Sequence, residues 1–228
     1  CSYFDNVDPA AASQGRFESN YWMGLDTVLQ RLERRGNWLQ IFVPCDATPT
    51  PTSALRTVER FNADRTDRGF HVFVESFLSW RVLLRVLARW VALNRRARKL
   101  GNVEHAFRPL GSKISLWPLL REDWQDAIRG PTAISNLLWI DLFDRAIRSL
   151  PRQSTGVYLC ENQSWERALI HAWRKHGHGR LIAVAHSTVR LWDLRYFNDS
   201  RTVMSTAPHP MPLPDLVALN GQAAVDAY

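Results

Sequence analysis

The stretch that most constrains the fold runs from Gly156 to Asp193. An apolar run, Gly156-Val-Tyr-Leu-Cys160, leads into Glu161-Asn162-Gln163 and then a helical run to Lys175. After His176-Gly-His-Gly179, a second apolar run, Leu181-Ile-Ala-Val-Ala185, ends at His186-Ser187-Thr188. Two short apolar runs bracketing one amphipathic helix are the pattern of a βαβ unit, with parallel strands buried on both faces. In open α/β sheets, ligands bind outside the carboxyl ends of the strands. The pattern therefore predicts Glu161 and His186 near each other on that edge.

The rest of the chain extends the same alternation. A first strand ends near Phe4, with Asp5 and Asn6 at its carboxyl edge, and the loop Arg16 to Trp22 is rich in hydrogen-bonding and stacking groups. Leu25 to Arg34 has helical spacing and stops at Gly36. Trp38 to Val43 reads as a strand, Ser53 caps a helix to about Phe61, and Phe70 to Val74 is a third strand ending in Glu75-Ser76. A long helix follows from Leu78 to about Leu100, with Arg81, Arg85 and Arg89 recurring on one face and a basic close at 95–99. Leu116 to Ile128 and Thr132 to Leu150 read as helices, giving a helical insertion over about 101–150. A proline-rich polar loop (193–214) precedes a last strand, Leu216 to Leu219, which ends at Asn220-Gly221. The expected class is α/β: a Rossmann-like parallel sheet with flanking helices in one domain over residues 1–228.

Charge and composition narrow the partners. A net charge of +7 suits an anionic partner such as a nucleotide-sugar or a phospholipid surface, and equally a merely soluble arginine-rich protein. The Arg81/Arg85/Arg89 helix reads either as a sheet cover with a solvated face or as a helix lying on an anionic membrane surface. Nucleic acid is disfavoured, because the arginines alternate with apolar residues and no nucleic-acid motif is present. Three cysteines fit neither a disulfide framework nor a zinc spacing, which points to a reducing cytoplasm and to Cys160 as a small core residue. His171, His176 and His178 do not suit a metal, since the last two flank a glycine loop at the opposite edge from His186. Ala185-His-Ser-Thr lacks the nucleophile elbow of a hydrolase, and neither a P-loop nor G-x-G-x-x-G occurs. No metal or other cofactor is expected.

Several predicted strand ends carry polar groups: Asp5-Asn6, Glu75-Ser76, Glu161-Asn162 and His186-Ser187-Thr188. Together they offer carboxylates for general-base work, an imidazole that titrates near neutrality, and hydroxyls and amides for a polyol. Glu161 reads either as a cap of the helix after it or as a ligand or base.

Three motifs carry a family resemblance: Tyr158-Leu-Cys-Glu-Asn-Gln-x-Trp-Glu166, Ala183-Val-Ala-His-Ser-Thr-Val-Arg-x-Trp-Asp193, and Pro212-Leu-Pro-Asp-x-Val-Ala-x-Asn-Gly221. With Arg16 to Trp22 and Glu75-Ser-Phe-Leu-Ser79, they resemble bacterial surface-carbohydrate biosynthesis proteins. These are similar to GT-B glycosyltransferases of O-antigen and capsule assembly. The resemblance implies sugar transfer from a nucleotide-activated donor to a glycan or lipid-linked acceptor, in the cytoplasm or peripherally at the inner face of the cell membrane. It also implies a second, donor-binding domain that is absent from these residues, so the segment is expected to be the acceptor-side half, inactive alone. On this reading Glu161 and His186 are catalytic. Asn20, Trp22, Glu75, Ser76, Asn162, Ser187, Thr188, Arg190, Asp193 and Asn220 contact substrate. The alternative is a non-catalytic basic module that binds an anionic polymer or membrane.

Overall fold

The computed structural model describes residues 1–22, 24–34, 36–46, 48–63, 69–185, 200–204, 206 and 210–227. It contains two three-stranded parallel sheets. In one, β1 (Ser2–Tyr3), β2 (Asn37–Ile41) and β3 (Phe70–Phe73) lie in that order; in the other, β4 (Thr155–Cys160), β5 (Arg180–Ala185) and β6 (Leu216–Ala218) do. The two meet at Cys1. Its nitrogen donates to the Val157 carbonyl at 2.7 Å, and its carbonyl accepts from the Leu159 N–H at 3.1 Å. One residue bonded to both neighbours of its opposite number is the parallel ladder pattern, with Cys1 opposite Tyr158. The strands thus run 3-2-1-4-5-6, the order of a doubly wound sheet.

Side chains alternate across this sheet and build one core on each face. Leu39, Ile41, Tyr158, Cys160, Leu181 and Ala183 point to one. Trp38, Phe73 and Leu159 point to the other, where they meet Phe4, Phe17 and Phe61. The second core is covered by the β1–β2 and β2–β3 connections, α1 (Pro9–Ser13), α2 (Leu25–Arg31) and α3 (Pro51–Ala63). The first is covered by α4 (Trp80–Ala97), α6 (Pro131–Ser149) and α7 (Ser164–Lys175). Between α4 and α6, α5 (Trp117–Arg129) packs against both. Two short helices, α8 (Ser200–Val203) and α9 (Gln222–Ala227), complete the described α-helices.

Local chemistry explains most boundaries. The Ser79 side chain accepts from Val82 N–H, so α4 starts at Trp80 rather than at Leu78. Thr50, not Ser53, opens α3: its hydroxyl accepts from Ser53 N–H at 3.2 Å, and Pro51 takes the first helical position. The segment read as an insertion is helical, but α6 is a sheet cover in its own right, with Leu142, Phe143, Ala146 and Ile147 all in the main core. Gly156 is required by packing, since a Cβ there would sit 2.6 Å from the Trp173 ring of α7.

The basic stripe of α4 is not a uniformly solvated face. Arg85 and Arg89 each donate at 2.8 Å to the two oxygens of Asp141 on α6, whose side chain is 1% exposed. The two arginines stay nearly half exposed, and this makes the pair asymmetric. Removing Asp141 releases cations that can turn to water, whereas removing both arginines strands a buried anion. Asp141→Ala is expected to cost about 1–2 kcal/mol and the Arg85→Ala/Arg89→Ala double variant about 3–5 kcal/mol. Urea unfolding compares them, and an Asp141→Ala loss exceeding that of the double variant would contradict this account.

Candidate active site

The reversal of winding between β1 and β4 opens the crevice where sheets of this order bind ligands. From β1 the chain turns through a 3₁₀ segment, Phe4–Asn6, toward the face covered by α1–α3; from β4 it passes through Glu161 and Asn162 to α7 on the other face. Asp5 and Asn6 therefore flank one side of the crevice, and Glu161 and Asn162 the other.

The loop Arg16 to Trp22 folds back along the exit of β1. Asp8 N–H donates to Glu18 O at 2.7 Å, Asn20 N–H to Asn6 O at 2.8 Å, and Val7 bridges to Ser19. This places Asn20 beside Asn6 and brings Tyr21 into a side-chain hydrogen bond with Asn6. Asn6 in turn donates from Nδ2 to Asp5 Oδ1 at 2.8 Å. Two phenols register the carboxylates around them. Burial pushes Tyr3 up to about 12, against the bond from Trp165, and the charges of Glu161, Glu166 and Asp5 add to the rise. Burial also raises Tyr21, against its bond to Asn6, with Asp5 and Glu161 adding. Both tyrosines thus lie within the fields of Asp5 and Glu161, one acid from each side of the crevice.

Glu166, not Glu161, secures the start of α7. Its Oε1 accepts from the N–H groups of both Glu161 and Gln163, each at 2.8 Å, in the manner of a capping box. Burial, first of all, raises the Glu166 carboxyl above its ordinary range, against those two backbone bonds. Glu161 itself remains half-buried at the strand exit. Asn162 adopts a left-handed backbone with φ of 58°, which asparagine tolerates better than most residues. Its Nδ2 is buried without a hydrogen-bond partner among the described residues. The thiol of Cys160 is pushed up to about 12, chiefly by burial and then by the Glu166 charge, which makes it a core residue and a poor nucleophile.

Other expected site residues lie elsewhere. Glu75 stands at the exit of β3, three strands from β4, so at about 4.8 Å per strand it is roughly 14 Å from the Glu161 side. It shares the edge but not the crevice. There its Oε1 accepts from Phe42 N–H at 3.2 Å, tying the β2 and β3 exits, and burial raises its carboxyl. Ser76 is exposed beside it, and Asn220 is exposed beyond β6, two strands from β4. Trp22 is a core residue rather than a substrate platform: it is buried with Phe17 and Trp38 and lines an apolar cavity of about 210 Å³ at the amino-terminal edge, with Asn37 and Gly156. That cavity lies at the wrong end of the strands for the polar cluster. His186, Ser187, Thr188, Arg190 and Asp193 fall outside the described residues. His176 and His178 are engaged structurally, with Asp144 at 2.9 Å and with Gln153 N–H at 3.0 Å. Among the described residues no group of three or more His, Cys, Asp or Glu is arranged to hold a metal ion.

Asp5, Asn6 and Tyr21 were legible as polar groups at a strand end and in its neighbouring loop. Only the strand order selects them over the other strand ends. No family model, curated protein or solved structure matches this chain.

The juxtaposition is testable without any substrate. In ring-labelled tyrosine NMR, Asp5→Asn/Glu161→Gln is expected to lower the titration points of Tyr3 and Tyr21, because the charges that raise them are gone. Unchanged titration of both would show that the carboxylates are not close to the phenols.

Proposed function

We propose that this chain supplies the acceptor side of a GT-B-like glycosyltransferase of bacterial surface polysaccharide biosynthesis. It would transfer a sugar from a nucleotide-activated donor to a hydroxyl of a glycan or lipid-linked acceptor. The observation that carries the reading is the convergence of Asp5, Asn6, Tyr21 and Glu161 at the β1/β4 crevice. Two carboxylates, an amide and a phenol within one crevice suit a polyol, whose hydroxyls need both donors and acceptors. The motif resemblance at 158–166, 183–193 and 212–221 supports the reaction class.

In the step itself, the acceptor oxygen bonds to the anomeric carbon as the bond to the donor's phosphate breaks. The nucleotide leaves with that electron pair. The acceptor's proton must go to a base, and Glu161 takes that role: the Glu166 cap relieves it of helix capping and fixes the backbone from which it projects. Asp5 and Asn6 hold the neighbouring acceptor hydroxyls. His186 is the second candidate base, with Ser187, Thr188 and Arg190 as donors to the leaving phosphate.

In a polypeptide that also carries the donor-binding half, Glu161→Gln is expected to lower kcat by roughly 10²–10⁴ with folding intact. Circular dichroism and a transfer assay over a panel of nucleotide sugars give the comparison. Near-normal turnover in Glu161→Gln together with its loss in His186→Ala would move the base to His186. Absence of transfer from every activated sugar would end the glycosyltransferase reading.

A further inference from the structure

Helix α4 is apolar on both sides. Val82 and Val86 point into the main core. On the opposite side Trp80, Leu84, Leu87 and Val91 follow one another at the spacing of a single helical stripe. The first three are 80%, 66% and 56% exposed, and Val91 is partly so. A surface helix that buries one face ordinarily turns polar residues outward. Here the outward face carries the larger apolar side chains.

The charge around the stripe says what covers it. From Trp80 to Leu100 the chain contains no aspartate or glutamate. Arg85 and Arg89 are engaged with Asp141. Arg81 and Arg95 remain exposed on one flank, and Arg98 and Lys99 carry the positive charge past the end of the helix. An exposed tryptophan, leucines and cations without intervening acids are the composition of a helix that lies in the interface of a bilayer. The apolar side enters the acyl boundary, and the cations meet anionic headgroups. None of the described helices is long and apolar enough to cross a membrane.

We infer that the outward face of α4 docks on an anionic phospholipid bilayer through Trp80, Leu84 and Leu87, with Arg81, Arg95, Arg98 and Lys99 supplying the electrostatic attraction. This differs from a contact through the Arg81/Arg85/Arg89 stripe, because Arg85 and Arg89 hold the helix to the body. It does not depend on the sugar-transfer reading, since no donor or acceptor takes part.

Vesicle sedimentation tests it, using phosphatidylcholine with phosphatidylglycerol in one arm and phosphatidylcholine alone in the other. The chain is expected to pellet with the anionic vesicles and to be released by salt, which shortens the Debye length from about 10 Å at 0.1 M to about 3 Å at 1 M. Trp80→Ser/Leu84→Ser/Leu87→Asn should lower partitioning at least about tenfold. These positions are exposed, so circular dichroism should stay unchanged. Arg81→Glu/Arg95→Glu should weaken binding in the anionic arm. Failure of the chain to pellet, an unaltered triple variant, or equal binding in both arms would each overturn the inference. So would self-association in analytical ultracentrifugation that the triple variant abolishes without any vesicle binding, which would assign the face to a second copy of the chain.

Discussion

The joint between β1 and β4 is the constraint on which the rest of the structure depends. Two backbone bonds, from Cys1 to Val157 and from Leu159 to Cys1, place the first strand between β2 and β4. The β1–β2 and β2–β3 connections cover one face of the sheet, and the helices α4, α6 and α7 cover the other. The reversal separates the backbone leaving β1 from the backbone leaving β4. A crevice must open between them, whatever side chains happen to be there. Here the side chains are Asp5, Asn6, Glu161 and Asn162. The fold supplies the place and the strand ends supply the chemistry.

The neighbouring pair Trp165–Glu166 makes that place rigid. The Trp165 indole donates to the Tyr3 hydroxyl at 2.7 Å, meets the Tyr3 and Tyr158 rings edge-on, and stacks on Phe143 of α6. One residue therefore ties β1, β4 and the crossover helix together. Glu166 then takes the two N–H groups that the turn out of β4 would otherwise leave unpaired. A carboxylate committed to capping could not also serve substrate. Because Glu166 bears the structural duty, Glu161 keeps its position at the strand exit without it.

The βαβ unit was legible because its signals are local. Apolar runs at 156–160 and 181–185 became strands Thr155–Cys160 and Arg180–Ala185, and the helix expected to close at Lys175 does so. What the sequence could not reveal depends on pairing at long range. Glu75, Glu161 and Asp5 all follow strands, and only the order 3-2-1-4-5-6 tells which of them share a crevice. Trp22 sits in a loop full of polar residues, so its neighbours suggested a binding surface while its own ring went into the core with Phe17 and Trp38. Arg85 and Arg89 find Asp141 across more than fifty intervening residues, and helical spacing alone cannot foresee that.

The same ion pair decides which way α4 faces. By area alone the helix should have turned the other way. Burying Trp80, Leu84 and Leu87 removes more apolar surface from water than burying Val82 and Val86, at about 25 cal/mol per Å². Rotating to bury them would carry Arg85 and Arg89 away from Asp141, which is 1% exposed and would be left as an unpaired internal charge. A charge stranded in that way costs about 3–5 kcal/mol, comparable to the burial of one or two large side chains. Turning the larger residues inward would also ask a core already filled by Leu142, Phe143 and Ala146 to accept added volume, and overpacking carries its own penalty. The orientation is therefore held by a buried carboxylate on α6 and by the space beside it. The outward apolar stripe follows from those two conditions.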